Sequence, residues 1–260
     1  MILKDFNYTE LPIVFTPGNH RYKLEGIPMI GTTTIIGMKD KDFLKFWTVK
    51  EMYKYLKTNW NLKKVYTGEE KEDLLMLGKK AWTVKKDKAL DTGTIAHDMI
   101  EKSIQTGMRV NADVIAKLAP EVANAYQAFL DWEKTHEIEY LASELIMGSR
   151  EHYVAGTVDA VAIIDGKLEV LDWKTSKQLS EDVFLQTASY RMMLHEGGLT
   201  DHIGRRVVRF DKLGAGFEDY EIKNDYNKDI EAFLCLLKVY RWDRDVKKKY
   251  KDYQGKLKIN

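Results

Sequence analysis

The stretch that decides the fold covers residues 156–177 and reads GTVDAVAIIDGKLEVLDWKTSK. Two apolar, β-prone runs flank Asp165-Gly166, a dipeptide that favours the tight turn of a β-hairpin. Asp159 lies at the start of the first predicted strand, and Asp172 and Lys174 lie at the end of the second. Antiparallel pairing brings both positions to the same end of the hairpin, and residues two apart share a strand face. The three charged side chains are therefore predicted to lie together.

A cluster of this kind suits the hydrolysis of a phosphodiester. Charges at the end of apolar strands are costly unless they meet a cation or one another. Carboxylates are hard oxygen ligands for Mg²⁺ or Mn²⁺, and such a metal polarises a phosphoryl oxygen and activates water. A nearby lysine can orient that water or offset charge on the phosphate. Taken alone, however, a D-x-K triplet is more often a surface ion pair at a strand end.

Two further pairs of residues accompany the D-x-K triplet. His97 and Glu101 are four residues apart on a predicted helix, so they share one face. Gln186 and Tyr190 have the same spacing on the helix that follows the D-x-K strand. Each pair, considered alone, is also compatible with an ordinary amphipathic helix.

In this order, the motifs resemble the RecB-type exonuclease branch of the PD-(D/E)XK nuclease superfamily. That branch carries G-x-x-x-H, G-x-x-D, D-x-K and Q-x-x-x-Y motifs on a helix, two strands and a helix. The corresponding segments here are Gly93–His97, Gly156–Asp159, Asp172–Lys174 and Gln186–Tyr190. The resemblance covers about residues 92–190, and the N-terminal stretch with GTTTII at residues 31–36 also looks like the start of small phage and mitochondrial members.

The resemblance implies roles for the metal-binding and catalytic residues. His97, Asp159 and Asp172 would be metal ligands, together with the main-chain carbonyl of Trp173. Lys174 would be the catalytic lysine.

Other positions are implied to act on the substrate or to support the site. Gln186 and Tyr190 would contact the DNA backbone near the scissile phosphate. Glu144 matches a strand glutamate often found in the branch, although a surface acid on an edge strand is the alternative. Glu101 is a further candidate because it shares the His97 face.

The cofactor expectation is Mg²⁺ or Mn²⁺ without an iron–sulfur cluster. Some members of the superfamily hold such a cluster on four cysteines, whereas this chain has one, Cys235. Its apolar surroundings, AFLCLLKVY, predict a buried core thiol. No apolar run approaches the length of a membrane span, and the acidic start does not resemble a signal peptide. The expected location is therefore the cytoplasm, that of a bacterial host if the protein is phage-encoded.

The predicted fold is α/β, a restriction-endonuclease-like core with a central mixed sheet flanked by helices and a helical N-terminal part. We expect one nuclease domain in which residues 1–91 form a β-hairpin and helices, residues 92–222 the catalytic core, and residues 223–260 a C-terminal helix and basic tail. Helices are predicted at residues 40–56, 69–90, 92–104, 112–135, 181–194 and from 225, and strands up to residue 36 and at residues 139–147, 153–164, 168–173, 206–210 and 217–222.

The expected function is a DNA exonuclease of phage-type recombination or DNA processing, with a single-strand annealing protein as a family-implied partner. The net charge is only +1, but the stretch KKAWTVKKDK at residues 79–88 is basic and carries Trp82. With Trp60 it could line a single-strand channel, or both tryptophans could be core residues. The alternatives are an endonuclease or flap nuclease on the same site, and a catalytically inactive DNA-binding member.

Overall fold

The computed structural model describes residues 8–39, 42–199, 202–214, 216–223 and 225–257. The chain divides into two compact units, one formed by residues 1–38 with 96–260 and the other by residues 39–95. Among the described residues, all the strands belong to the larger unit, and the smaller unit is helical. The assignment of the whole chain to one nuclease domain stays a prediction.

Within the described ranges, eight strands form one mixed sheet. Seven of the strands are ordered β1-β2-β3-β5-β6-β7-β8 across the sheet. The eighth strand, β4, also pairs with β5. The pairs β3–β5 and β6–β7 are parallel, and the others are antiparallel. The strands are β1 (Ile13–Thr16), β2 (Arg21–Leu24), β3 (Ile27–Gly31), β4 (Ile138–Ser149), β5 (Val154–Ile164), β6 (Lys167–Lys174), β7 (Gly204–Phe210) and β8 (Phe217–Glu221).

The helices in the part of the chain with assigned structure number seven. None of them is long and apolar enough to cross a membrane. They are α1 (Thr32–Ile36), α2 (Asp42–Asn59), α3 (Gly68–Thr106), α4 (Ala112–Ile115), α5 (Pro120–Glu133), α6 (Asp182–Glu196) and α7 (Tyr226–Leu257).

The sheet separates two apolar cores, as alternation along β6 shows. Leu171 and Trp173 pack with α5 and the end of α3, whereas Val170 packs with α6. Because successive strand residues point to opposite faces, Asp172 lies on the same face as Val170. The predicted fold class, a central mixed sheet flanked by helices, is confirmed.

The hairpin that decides the fold forms as its sequence indicates. Asp165 and Gly166 adopt positive φ angles of 49° and 79°, the conformation of the two-residue turns whose twist matches that of paired strands. The pairing runs from Ile164 with Lys167 to Ala160 with Leu171. Asp159 and Asp172 therefore occupy the next position of each strand.

Four local predictions are wrong. The predicted break near residue 92 is absent because α3 is one continuous helix, and a single Gly93 costs a helix only about 1 kcal/mol. The predicted helix at residues 112–135 is divided in two, because Pro120 begins α5 as an N-terminal proline does. Residues 32–36 are helical rather than extended. Cys235 is exposed, because it lies on the outer face of α7.

The smaller unit is a helical pair made by α2 and the first part of α3. Glu51 is nearly buried in it and pairs with Lys54 and Lys85, whose Nζ atoms lie 3.1 and 2.8 Å from its two carboxylate oxygens. Trp47 and Trp82 meet edge to face with ring centroids 6.4 Å apart. Trp82 is thus half-buried, because one side of its ring packs against Trp47.

Candidate active site

The candidate site lies where β5 changes its partner along one edge. Residues 160–164 of β5 pair with β6, and residues 154–155 pair with β3. Residues 156–159, the G-x-x-D motif, lie between the two pairings. This divergence leaves room for side chains from β5, β6 and the neighbouring helices.

His97, Glu144 and Asp159 form the first part of the site. Each offers one ligand atom, and the three atoms all lie within 4.8 Å of one another. Nδ1 of His97 is 3.6 Å from Oδ1 of Asp159, and the other carboxylate oxygen of Asp159 accepts a hydrogen bond from the main-chain N–H of Trp173 at 2.6 Å. This N–H fixes the orientation of the Asp159 carboxylate.

Glu144 reaches this group through an irregularity of β4. The register of β4 against β5 shifts between Tyr140 and Ala142, and Glu144 has a positive φ of 49°. A left-handed conformation is uncommon for a residue with a side chain and is concentrated at functional sites. The irregularity directs a carboxylate towards Asp159.

Asp172 and Lys174 form the second part of the site. Oδ2 of Asp172 lies 2.5 Å from Nζ of Lys174. The two groups form an ion pair, but their relative orientation is not that of a hydrogen bond. Asp172 is 1% exposed, so this carboxylate oxygen is buried without a well-aligned donor among the described residues. Such an atom is expected to accept a further donor or cation besides Lys174.

The ionisation of the acidic groups reflects their burial. Burial, together with the nearby Asp159 carboxylate, raises the pKa of Glu144 to about 8. Burial likewise raises the pKa of Asp172 to about 6, with Lys174 opposing and Asp159 adding to the effect. Both carboxyls therefore hold protons more tightly than free ones do, and a bound cation would offset this cost.

The groups that face these two carboxyls, Lys174, His97 and Asp159, favour their charged forms. Burial lowers the pKa of Lys174, but Asp172 and Asp159 outweigh it, so that the pKa is raised overall. Burial also lowers the pKa of His97, and Asp159 again outweighs it. For Asp159 burial raises the pKa, yet the facing His97 brings it below its ordinary value.

A chain of hydrogen bonds extends the site onto α6. Nζ of Lys174 donates to Oε1 of Gln186 at 3.2 Å, and Nε2 of Gln186 donates to the Tyr190 hydroxyl at 2.9 Å. Tyr190 is 3% exposed and packs on Gly156, where an added Cβ would lie 2.7 Å from its ring. The glycine of the G-x-x-D motif is therefore needed for the close approach of α6 to β5.

These residues fit a divalent cation of the Mg²⁺ or Mn²⁺ type. The available atoms are carboxylate oxygens and one imidazole nitrogen, which such cations accept. A bound cation would offset the repulsion between the Glu144 and Asp159 carboxylates that helps to raise the pKa of Glu144. Lys174 supplies a positive group beside Asp172.

The structure places the predicted site residues unequally. It brings His97, Glu144 and Asp159 into one group of possible metal ligands, to which Asp172 does not belong. Asp172, Lys174, Gln186 and Tyr190 form a neighbouring series of contacts. Glu101 lies one turn beyond His97 but outside the His97–Glu144–Asp159 group, and its carboxylate accepts a bond from Gln105 at 2.8 Å. Trp82 belongs to the smaller unit. Coordination by the Trp173 carbonyl stays a prediction.

Sequence reasoning missed the hydroxyl groups that support the site. Oγ of Ser143 donates to the carbonyl of Asp159 at 3.3 Å. Oγ1 of Thr32 donates to the carbonyl of Ala155, and Oγ of Ser189 donates to Thr32, each at 3.3 Å. Serine and threonine in strands and short helices carry no periodic signal, so only the three-dimensional contacts reveal them.

Comparison with protein families agrees with this geometry. The model of the PD-(D/E)XK nuclease superfamily matches residues 109–256, which is more than half of the chain. The matched region includes Glu144, Asp159, Asp172 and Lys174. His97 precedes this region, so the support for its role comes only from its position beside Asp159. No curated protein matches the chain. On the family match and the site that it contains, the chain belongs to the PD-(D/E)XK nuclease superfamily.

Proposed function

We propose that the protein is a divalent-metal-dependent DNA exonuclease. The observation that supports this most directly is the meeting of His97, Asp159, Asp172 and Lys174 at the divergence of β5 from β6. Members of this superfamily use divalent metals, and the acidic groups of the site suit them.

The metal would be held by His97, Asp159 and Asp172, with the Trp173 carbonyl and Glu144 as further ligands. When bound, it supplies a Lewis acid for the phosphoryl oxygen and lowers the pKa of a coordinated water. Because Mg²⁺ accepts nitrogen less readily than Mn²⁺, the imidazole favours Mn²⁺. Asp172 keeps its buried oxygen directed at Lys174, which positions both groups.

Lys174 would act as a cation and hydrogen-bond donor to the phosphate or to the attacking water. Asp172 and Asp159 favour its protonated form, so donation suits it better than proton removal. Gln186 would hold Lys174 through Oε1 and contact the DNA backbone beside it. Tyr190 is buried and its hydroxyl accepts the hydrogen bond of Gln186, so we assign Tyr190 to positioning Gln186 for the contact with the DNA backbone.

The exonuclease assignment and the biological setting follow from the resemblance to the RecB-type, cluster-free branch. The four motifs occur in the order of that branch, and one cysteine does not suffice for an iron–sulfur cluster. We accordingly propose a role in phage-type recombination or DNA processing in the cytoplasm, with a single-strand annealing protein as partner. Trp60 and Trp82, with nearby lysines, are proposed to line a single-strand channel.

The test of the catalytic proposal is paired substitution. Asp172→Ala should abolish both Mn²⁺ binding, measured by calorimetry, and the release of nucleotides from end-labelled DNA. Lys174→Ala should keep Mn²⁺ binding and lose cleavage. Lys167→Ala is the matched control, because this lysine begins the same strand and pairs at the surface with Glu221. Full cleavage by Asp172→Ala protein would disprove the assignment.

A second candidate, an endonuclease on the same site, differs in how the strand enters. A strand that must be threaded enters from its end, so linear DNA should be degraded and a closed single-stranded circle should survive. Rapid cutting of the circle would replace the exonuclease proposal with the endonuclease. If the protein does not bind Mn²⁺ and cleaves neither substrate, it would instead be an inactive DNA-binding member.

A further inference from the structure

The exposed part of α7 carries a continuous row of apolar and aromatic side chains. We call this row the α7 stripe. Its members are between 41% and 65% exposed. They are Val239, Trp242, Val246, Tyr250 and Tyr253.

The spacing of the α7 stripe places its members on one side of the helix. Their separations of three, four, four and three residues follow the 3.6-residue turn. From the first member to the last the helix rises about 21 Å. The stripe is therefore a narrow track rather than scattered surface residues.

The first part of the same helix behaves differently. Phe233 and Leu237 are buried against Ile35, Val154 and Leu185. The apolar residues of α7 up to residue 237 are thus explained by the core, whereas those of the α7 stripe are exposed. An exposed apolar row of this length indicates a binding surface.

The charges beside the α7 stripe indicate which partner it fits. Residues 238–253 contain seven lysines and arginines and three aspartates, a net charge of +4, whereas the whole chain carries only +1. The remainder of the chain is therefore slightly acidic, and the positive charge is concentrated on this helix. A second copy of the helix would bring like charges together, whereas a polyanion would neutralise them.

We propose that the α7 stripe is a docking surface for single-stranded nucleic acid. Bases would stack on Trp242, Tyr250 and Tyr253, and flanking side chains such as Lys238 and Lys249, which lie beside the stripe on the helical wheel, would contact phosphates. Exposed aromatic rings among basic residues are the features that single-strand-binding surfaces use, because unpaired bases expose their faces. The identification of the polymer as DNA rests on the proposed function.

This surface would hold a strand outside the catalytic site. A strand bound at two places on one protein rebinds from a high local concentration after each cleavage. The expected consequence is that the enzyme releases long substrates less often than short ones.

The binding test removes stacking and keeps the helix. Asp172→Ala protein in chelator cannot cleave if the proposed function is correct, and anisotropy of a labelled 20-nucleotide strand then reports binding alone. Replacing Trp242, Tyr250 and Tyr253 together by leucine preserves helix propensity and the apolar row. We expect the affinity for the strand to fall at least tenfold.

Tyr220→Leu is the matched control, since this exposed tyrosine lies on β8 between acidic residues. We expect no change in its affinity for the strand. Lys238→Gln and Lys249→Gln should each reduce the slope of log affinity against log salt by about 0.7. Circular dichroism of the leucine variant should show unchanged helix content.

Three results would overturn the inference. One is an unchanged affinity of the leucine variant for the strand. Another is that wild-type protein co-sediments with anionic lipid vesicles through these aromatic residues but binds the strand without them. The third is a dimer in solution that dissociates when the stripe is made polar. A protein that binds the strand through the α7 stripe but never cleaves DNA would disprove the proposed function, whereas the inference about the α7 stripe would still hold.

Discussion

Replacement of Glu144 by glutamine should stabilise the metal-free protein. Burial, and then the nearby Asp159 carboxylate, raise the pKa of Glu144 from 4.5 to about 8. Between these values the unfolded chain holds the carboxyl ionised and the folded chain holds it protonated, so stability falls as the pH rises. Over the roughly two and a half pH units between 4.5 and 7, the cost reaches about 3 kcal/mol at ~1.4 kcal/mol per pH unit.

Partial contact of Glu144 with solvent screens this cost to about 2 kcal/mol. Glutamine has almost the same shape and no charge, so Glu144→Gln should gain about that amount at pH 7. In a chain of this size the gain corresponds to a rise of about 4–8 °C in Tm. Below pH 4.5 both forms of the wild-type chain are protonated, so the difference between variant and wild type should disappear.

The assay is thermal unfolding in chelator, followed by tryptophan fluorescence from pH 4 to pH 8. Glu139→Gln is the matched control, because Glu139 is an exposed glutamate on the same strand and should change stability by less than about 0.5 kcal/mol. Added Mn²⁺ should stabilise the wild type more than Glu144→Gln, because ionised Glu144 offers the metal a ligand. Equal Tm values at pH 7, or a gain that persists at pH 4, would refute the reasoning.

Four further outcomes are expected. Gly156→Ala should lower stability by about 1–3 kcal/mol, measured by denaturant unfolding, because the new Cβ would lie 2.7 Å from the Tyr190 ring. Tyr190→Phe should slow cleavage while the Mn²⁺ affinity is kept, and a large fall in Tm would indicate a purely structural hydroxyl. His97→Ala should lose a preference for Mn²⁺ over Mg²⁺ in initial cleavage rates. Chelator should stop cleavage by wild-type protein, and activity that survives extensive dialysis against it would contradict metal dependence.

Some features of the site could be predicted because they are local. The Asp165-Gly166 turn fixes the hairpin register by its own backbone preference, and this register places Asp159 and Asp172 at the same end. The spacing of four residues likewise places Gln186 and Tyr190 on one helix face, where they form a hydrogen bond.

Other features depend on contacts between distant segments and were not predictable. Whether Glu144 faces Asp159 depends on a one-residue shift in the pairing of β4, and such a shift reverses the face of every following side chain. The continuity of α3 through Gly93 also went against the local signal, because packing of Ala96 and Ile100 stabilises the helix beyond it.

The amino-acid sequence by itself determined the α/β class, the order of the motifs and the placement of Asp159, Asp172 and Lys174 at one end of the hairpin, since turn chemistry and strand periodicity act over a few residues. Only the tertiary structure decided that β5 leaves β6 for β3, how closely His97 and Glu144 approach Asp159, and that Tyr190 is buried on Gly156. The physical reason is that these features arise from pairing and close packing between segments far apart in the chain. Their free energy depends on the geometry of both partners, which no local pattern of residues contains.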